Sequence, residues 1–207
     1  MNSLERPIFW IVAGPNGSGK SSLYGSADIS AFDRSVWIIN PDLLTARICD
    51  VEKLDQRAAN LAAVVRIEAW LDASIETHQT IGVETVLSTE KYRRLVSKAR
   101  QKGYEFRFIY VVLDSIDLNV ERVRIRVEKG GHAVPEDRIR SRWSRSLAQM
   151  PWFLAEADRA WLFNNSGEHP VPIGRKSAGV IDLDPAAPEF IKTAVQTISR
   201  TISRTDA

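Results

Sequence analysis

Along the chain, unbroken apolar runs take turns with stretches in which apolar residues recur every three or four positions. Ile8-Phe9-Trp10-Ile11-Val12-Ala13 is apolar throughout and ends in a glycine-rich turn, the pattern of a strand buried on both faces of a parallel sheet. Ser35 to Ile39 predicts a second strand, Thr80 to Val86 a third and Phe106 to Leu113 a fourth, each followed by polar or turn residues. Between them Val64, Ile67, Leu71 and Ile75 keep helical spacing, as do Tyr92, Leu95, Val96 and Ala99, and again Ile116, Val120, Val123 and Val127. Strands alternating with helices imply an α/β fold. Ala160 to Phe163 predicts a fifth strand, Gly179 to Leu183 a short extra one and Glu189 to Ser203 a closing helix. Asn164 to Ala178, rich in Gly, Pro, Asn and Ser, reads as a long surface connection.

Composition narrows the class without naming a function. With 207 residues, 44% hydrophobic and 26% charged, the chain suits one domain over residues 1–207 and excludes collagen, disorder and coiled coil. Its net charge of +2 is too small by itself to imply nucleic acid or an anionic membrane. A single cysteine, Cys49, excludes a disulfide framework or a multi-cysteine metal site and reads as a buried small hydrophobe. The amino terminus, MNSLERP, holds an acid and a proline before an apolar run too short for a signal sequence or a membrane span. The expectation is a soluble cytoplasmic protein with no membrane partner.

Chemistry enters directly after the first strand. Gly14-Pro15-Asn16-Gly17-Ser18-Gly19-Lys20-Ser21 matches G-x-x-x-x-G-K-S between a predicted strand and a predicted helix. Glycines at these positions let backbone N–H groups turn inward on phosphates, and the helix that follows adds its positive end. Lys20 would reach the β- and γ-phosphates of ATP, and Ser21, with Ser22 as a weaker neighbour, would place its hydroxyl on Mg²⁺.

In open α/β sheets ligands sit beyond the carboxyl ends of the strands. The second strand ends Asn40-Pro41-Asp42, where Asp42 could take a hydroxyl proton from a phosphate acceptor or simply cap a helix starting at Leu43. Glu84 interrupts the apolar third strand and needs a partner, a substrate hydroxyl being one. Ser88 reads as the cap of a helix from Thr89, with a substrate contact as the alternative. Asp114, beside Ser115 and Asp117, reads as a cap and not as a metal ligand. Asn164-Asn165-Ser166 is either an adenine contact or an ordinary turn.

From Val120 to Arg145 there are eight Lys/Arg against four Asp/Glu, so basic character is concentrated in one segment. With Val120, Val123 and Val127 inward, Arg122 and Arg126 share a flank, and with Ile139, Trp143 and Leu147 inward, Arg138, Arg142 and Arg145 share another. Gly130-Gly131-His132-Ala133-Val134-Pro135 between them is hinge-like, so residues 122–147 read as a lid over a bound triphosphate. His132 reads as a loop residue. A solvated basic face, or a track for a nucleic-acid backbone, are the other readings of the same arginines. The scarcity of interleaved exposed aromatics weighs against nucleic acid.

The ordered set of residues 14–21, Asn40-Pro41-Asp42, Glu84-Thr85-Val86-Leu87-Ser88 and Gly-Gly-His-Ala-Val-Pro followed by Ile139, Arg142, Arg145, Ser146 and Leu147 resembles the compact bacterial branch of the zeta-toxin family of P-loop kinases. The resemblance implies a nucleotide-kinase-like parallel sheet with an arginine-bearing helical lid. It further implies ATP-dependent phosphorylation of a sugar hydroxyl on a nucleotide sugar, UDP-N-acetylglucosamine, and a small antitoxin protein as partner. In that family's terms Lys20 binds phosphate, Ser21 holds Mg²⁺, Asp42 is the general base, Glu84 contacts the acceptor, Arg126 is the first lid arginine, and Arg142 or Arg140 the second. A P-loop enzyme acting on nucleic acid and a nucleotide-dependent binding switch are the rival readings.

Overall fold

A computed structural model describes residues 6–25, 36–131 and 133–205. The predicted α/β alternation is present. Strands β1 (Ile8–Ala13), β2 (Ile38–Ile39), β3 (Ile81–Thr85), β4 (Glu105–Val112), β5 (Arg159–Asn164), β6 (Val171–Ser177) and β7 (Val180–Leu183) form one sheet in the order β2-β3-β1-β4-β5-β6-β7. The first five strands of that order are mutually parallel and the last two are antiparallel. The helices are α1 (Lys20–Gly25), α2 (Pro41–Glu52), α3 (Gln56–Glu76), α4 (Arg93–Gln101), α5 (Ile116–Glu128), α6 (Glu136–Glu156) and α7 (Glu189–Thr205).

The continuous apolar runs of β1 and β4 are buried on both faces, as expected for central strands. Phe9, Ile11 and Ala13 join the larger core with residues of α3, α4, α6 and α7, whereas Trp10 and Val12 join a smaller one with Leu23, Ile109 and Val111. On the smaller side Trp10 stacks on Trp161, centroids 5.7 Å apart, and the Arg107 guanidinium covers its other approach.

Some expectations fail. Asn164 to Ala178 is not a surface connection: it contains β6, paired antiparallel with β5. Pro172 hides that strand in the sequence, and it is tolerated because it sits at the register shift between Leu162 and Phe163. Gly174 belongs there for packing, since a Cβ on it would lie 2.9 Å from Leu183 Cδ1 and 3.1 Å from Leu162 Cδ1. Lys176 of β6 is buried and donates to the Leu154 and Ala155 carbonyls, 3.0 and 2.6 Å away, closing the end of α6. The second strand is shorter than expected, only Ile38–Ile39, and its expected start at Ser35 lies outside the described residues, as does His132. Val64 and Val127 point outward despite their helical spacing, and Cys49 is half-buried, not fully buried. Among the described residues no helix is long and apolar enough to cross a membrane.

Candidate active site

The chain leaves β1 at Ala13, turns through residues 14–19 and re-enters helix at Lys20. Gly14 and Gly19 are required for both conformation and space. Gly14 has φ +148° and a Cβ there would lie 2.2 Å from the Val111 carbonyl oxygen; Gly19 has φ +83° and its Cβ would lie 2.2 Å from Asn165 Nδ2. Two buried asparagines brace the loop: Asn119 Nδ2 donates to the Asn16 carbonyl at 2.7 Å and Asn165 Nδ2 to the Ser18 carbonyl at 2.9 Å. The Asn16 Oδ1 and Ser18 Oγ atoms, also buried, have no hydrogen-bond partner among the described residues.

Lys20 is 6% exposed. Its ammonium donates to the Gly14 and Pro15 carbonyls at 2.8 and 3.1 Å and stands 3.9 Å from Glu84 Oε1. Burial pushes its pKa down, Glu84 and then Asp42 oppose this, and Arg126 adds to it. Ser21 Oγ donates to Glu84 Oε2 at 2.8 Å, and Asn40 Nδ2 reaches the same oxygen at 2.9 Å. Glu84 is therefore a partner of the phosphate loop.

Asn40, not Asp42, caps α2, its Oδ1 accepting from the Asp42 and Leu43 N–H groups at 3.0 and 3.2 Å, with Pro41 at the first helical position. Asp42 is thus spared capping duty. It opens on a recess of about 200 Å³, whose walls include Asn16, Thr45, Asn60, Val86, Arg138 and Arg142. Thr45 and Asn60, on α2 and α3, hydrogen-bond at 3.1 Å across that helical hairpin. Val86 reaches the wall beside Leu87, a buried residue held at φ +58°, a conformation costing a bulky side chain about 1–3 kcal/mol.

The arginine run separates into groups. Arg122 and Arg126 line a cavity of about 400 Å³ together with Gly17, Gly19, Ser22 and Asn165, on the other side of the loop. Arg138 and Arg142 line the recess of Asp42. Burial lowers the pKa of Arg142, Arg138 and Arg145 lower it further, and Asp42 opposes them. Arg124 pairs with Glu121 and Glu128, and Arg140 with Glu136 and Asp117; that placement separates Arg140 from Arg142. Arg145 lies outside the recess and donates to the Ser141 carbonyl of its own helix.

Two capping assignments are overturned. Ser88 caps nothing, because α4 starts at Arg93 after Tyr92 with no side-chain cap, and neither Ser88 nor Glu84 lines the recess. Asp114 does not cap α5: Ser115 does, while Asp114 accepts from Asn164 Nδ2 at 2.6 Å and ties the ends of β4 and β5. Asn165 braces the loop and lines the cavity beside Gly17 and Gly19. Asn119, Thr45 and Asn60 carried no motif that marked them as site residues; only the fold brings them there. Among the described residues no group of three or more His, Cys, Asp or Glu could hold a metal by itself.

A phosphate loop after the first strand of a mainly parallel sheet, faced by arginine-bearing helices, defines a P-loop kinase-like protein. The chain belongs to the Zeta toxin family, whose profile matches residues 1–157. A protein of Haemophilus influenzae described as uncharacterized is 25% identical over 139 residues, which is 67% of this chain and 93% of that protein. Among solved structures, one from the PezAT chromosomal toxin-antitoxin system of Streptococcus pneumoniae superposes with a TM-score of 0.64 at 16% identity, covering 98% of this chain and 88% of that one. The AvrRxo1-ORF1:-ORF2 complex with ATP gives 0.69 at 14% identity, covering 94% of this chain and 64% of that one. These structures share the fold.

Proposed function

We propose that the chain is an ATP-dependent kinase, a single domain over residues 1–207 whose lid spans about 122–147, and that it phosphorylates a sugar hydroxyl of a nucleotide sugar, UDP-N-acetylglucosamine first among them. The observation that carries this reading is the position of Asp42: free of capping, at the mouth of a recess shared with Arg138 and Arg142, and close enough to influence the charge of Lys20 in the phosphate loop.

The loop fits a triphosphate, since Gly14, Gly17 and Gly19 all hold the positive φ of a phosphate-binding turn and Ser18 Oγ is buried without a hydrogen-bond partner among the described residues. Lys20 and the backbone N–H groups of the loop bind the β- and γ-phosphates, and Arg122 and Arg126 line the cavity beside Gly17 and Gly19. The donor set for Mg²⁺ is the Ser21 hydroxyl backed by the Glu84 carboxylate 2.8 Å away; the ion, when bound, neutralises charge on the phosphates. The acceptor oxygen bonds to the γ-phosphorus in line with departure of the β,γ-bridging oxygen, and its proton passes to the Asp42 carboxylate. Arg142 balances negative charge beside Asp42. The family and the PezAT likeness support a small antitoxin as partner, and the single cysteine fits a cytoplasmic protein.

The test is transfer from γ-labelled ATP, with Mg²⁺, to a panel of nucleotide sugars, for wild type and Asp42→Ala. Labelled UDP-N-acetylglucosamine formed by wild type and lost in the variant is the expected result. ATP hydrolysis without any labelled sugar would remove the nucleotide-sugar reading.

A further inference from the structure

We propose that the outer face of α3 is the contact surface of a homodimer, in which two copies of this chain cross antiparallel about a two-fold axis through the middle of that helix. The inference goes beyond the reaction assigned above and does not depend on it.

Helix α3 is apolar on two opposite faces. Its inner face, Ala59, Ala63, Ile67, Leu71 and Ile75, is buried in the core. Its outer face carries a second apolar row at a spacing of four, Leu61, Val65, Ala69 and Ala73, every member of it exposed; Leu61 is 68% and Val65 60% accessible. A helix that faces water ordinarily turns polar residues outward, and α4 does so, with Arg94, Ser97 and Arg100 exposed opposite buried Leu95, Val96 and Ala99. Trp70 and Trp37, in edge-to-face contact with centroids 4.0 Å apart and both exposed, extend the apolar surface beside Ala73. A contiguous apolar patch of this kind marks a surface that associates. None of these residues lines either cavity of the candidate active site, so that site does not account for them.

Size and charge along the row both select a second copy in the antiparallel sense. Side chains four apart form a ridge inclined by about 26° to the helix axis, and two such ridges run along one another when their helices cross at about −50°. A two-fold axis between Val65 and Ala69 then sets Leu61 opposite Ala73 of the second copy and Val65 opposite its Ala69, a large side chain against a small one at every step. In the parallel sense Leu61 would meet Leu61 and Ala73 would meet Ala73, crowding one end of the contact and leaving a gap at the other. Toward the start of α3 the row continues to Arg57, which is exposed and makes no ion pair among the described residues. Antiparallel crossing carries Arg57 to the carboxyl end of the other α3, where Glu76, which also holds Lys98 and Lys102, and the last carbonyls of the helix are negative. Parallel crossing would set the two Arg57 side chains against each other.

The test is sedimentation velocity of the full chain over a concentration series from low to high micromolar. Wild type is expected to approach twice the chain mass as concentration rises. Val65→Lys, and Ala69→Leu, which adds bulk where the contact needs a small residue while keeping the surface apolar, should each raise the dissociation constant about tenfold or more; circular dichroism verifies that both variants are folded. Orientation is read by disulfide formation in a Cys49→Ser background, where Val65→Cys mixed with Ala69→Cys should cross-link faster than either variant alone. A wild type that stays monomeric throughout overturns the inference and leaves the face to a different protein. A dimer indifferent to Val65→Lys, or strengthened by Ala69→Leu as unspecific apolar association would be, overturns it as well, and single variants that cross-link faster than the mixture overturn the antiparallel arrangement.

Discussion

Lys20 carries its charge where little water reaches, and that placement has consequences measurable by pH. Burial lowers its pKa in the folded protein, so between that value and the ordinary one of about 10.4 the unfolded chain binds more protons than the folded one. The cost of the buried ammonium is present below the folded pKa and disappears as pH rises through it, so this residue alone makes stability rise with pH in that window. Affinity for ATP should fall over the same window, because the phosphates need the ammonium. Lys20→Met should abolish ATP binding and remove its own share of the pH slope, read as the difference between wild-type and variant melting temperatures. Gly19 is the other sensitive position: Gly19→Ala strains the backbone and meets Asn165 Nδ2, an expected loss of about 1–3 kcal/mol. Asn165→Ala leaves the Ser18 carbonyl unpaired at about 1–3 kcal/mol, yet it vacates the space the new methyl would fill. The double variant should therefore lose less than the sum, as chemical denaturation of all three would reveal.

Among the elements, α6 matters most because it carries Arg138 and Arg142. One turn beyond Arg142, Ser146 is fully buried and its hydroxyl lies 2.9 Å from that of Tyr110 on β4. Tyr110 is in register with Ala13, the last residue of β1 before the phosphate loop. This hydrogen bond sets the helix of the acceptor recess at a fixed height against the strand that ends in the loop. Tyr110→Phe or Ser146→Ala each strands a buried hydroxyl, for an expected loss of about 1–3 kcal/mol. The double variant, with neither hydroxyl left, should cost less than the two together in urea unfolding. At the start of α2, Asn40→Ala should cost about 0.5–2 kcal/mol as a lost cap, and it also frees one donor from Glu84.

For the protein as one body, the expected response is to nucleotide. A ligand bound only by the folded state, at a hundred times its Kd, stabilises by about 2.7 kcal/mol, which for a chain of this size raises Tm by roughly 5–10 °C. Mg-ATP should produce that shift in wild type and in Asp42→Ala, and none in Lys20→Met. A shift retained in Lys20→Met would mean that the nucleotide sits elsewhere. The seven-stranded sheet transmits such stabilisation because its central strands, β1 and β4, hold the loop and are buried on both faces.

The α/β alternation, the phosphate loop and the Asn-Pro-Asp turn were readable in the chain because each depends on neighbours within a few residues: apolar period, glycine conformation, a proline that starts a helix. The antiparallel β6 was not, since Pro172 and Gly174 are acceptable only opposite Leu162, Phe163 and Leu183. The same holds for the site. Lys20, Ser21 and Asp42 announce themselves by spacing, but whether Asp42 or Asn40 caps α2 is a matter of side-chain geometry. Glu84 was legible as a buried acid in need of a partner, and its partners, Lys20, Ser21 and Asn40, lie 64, 63 and 44 positions away. The arginine run looked uniform as a string of letters; folding divides it, sending Arg122 and Arg126 to the loop, Arg138 and Arg142 to the recess, and Arg124 and Arg140 to neighbouring acids. Local pattern is set by bonds and sterics within one turn or one strand. Which distant side chains share a cavity depends on how the sheet is ordered and how the helices pack on it.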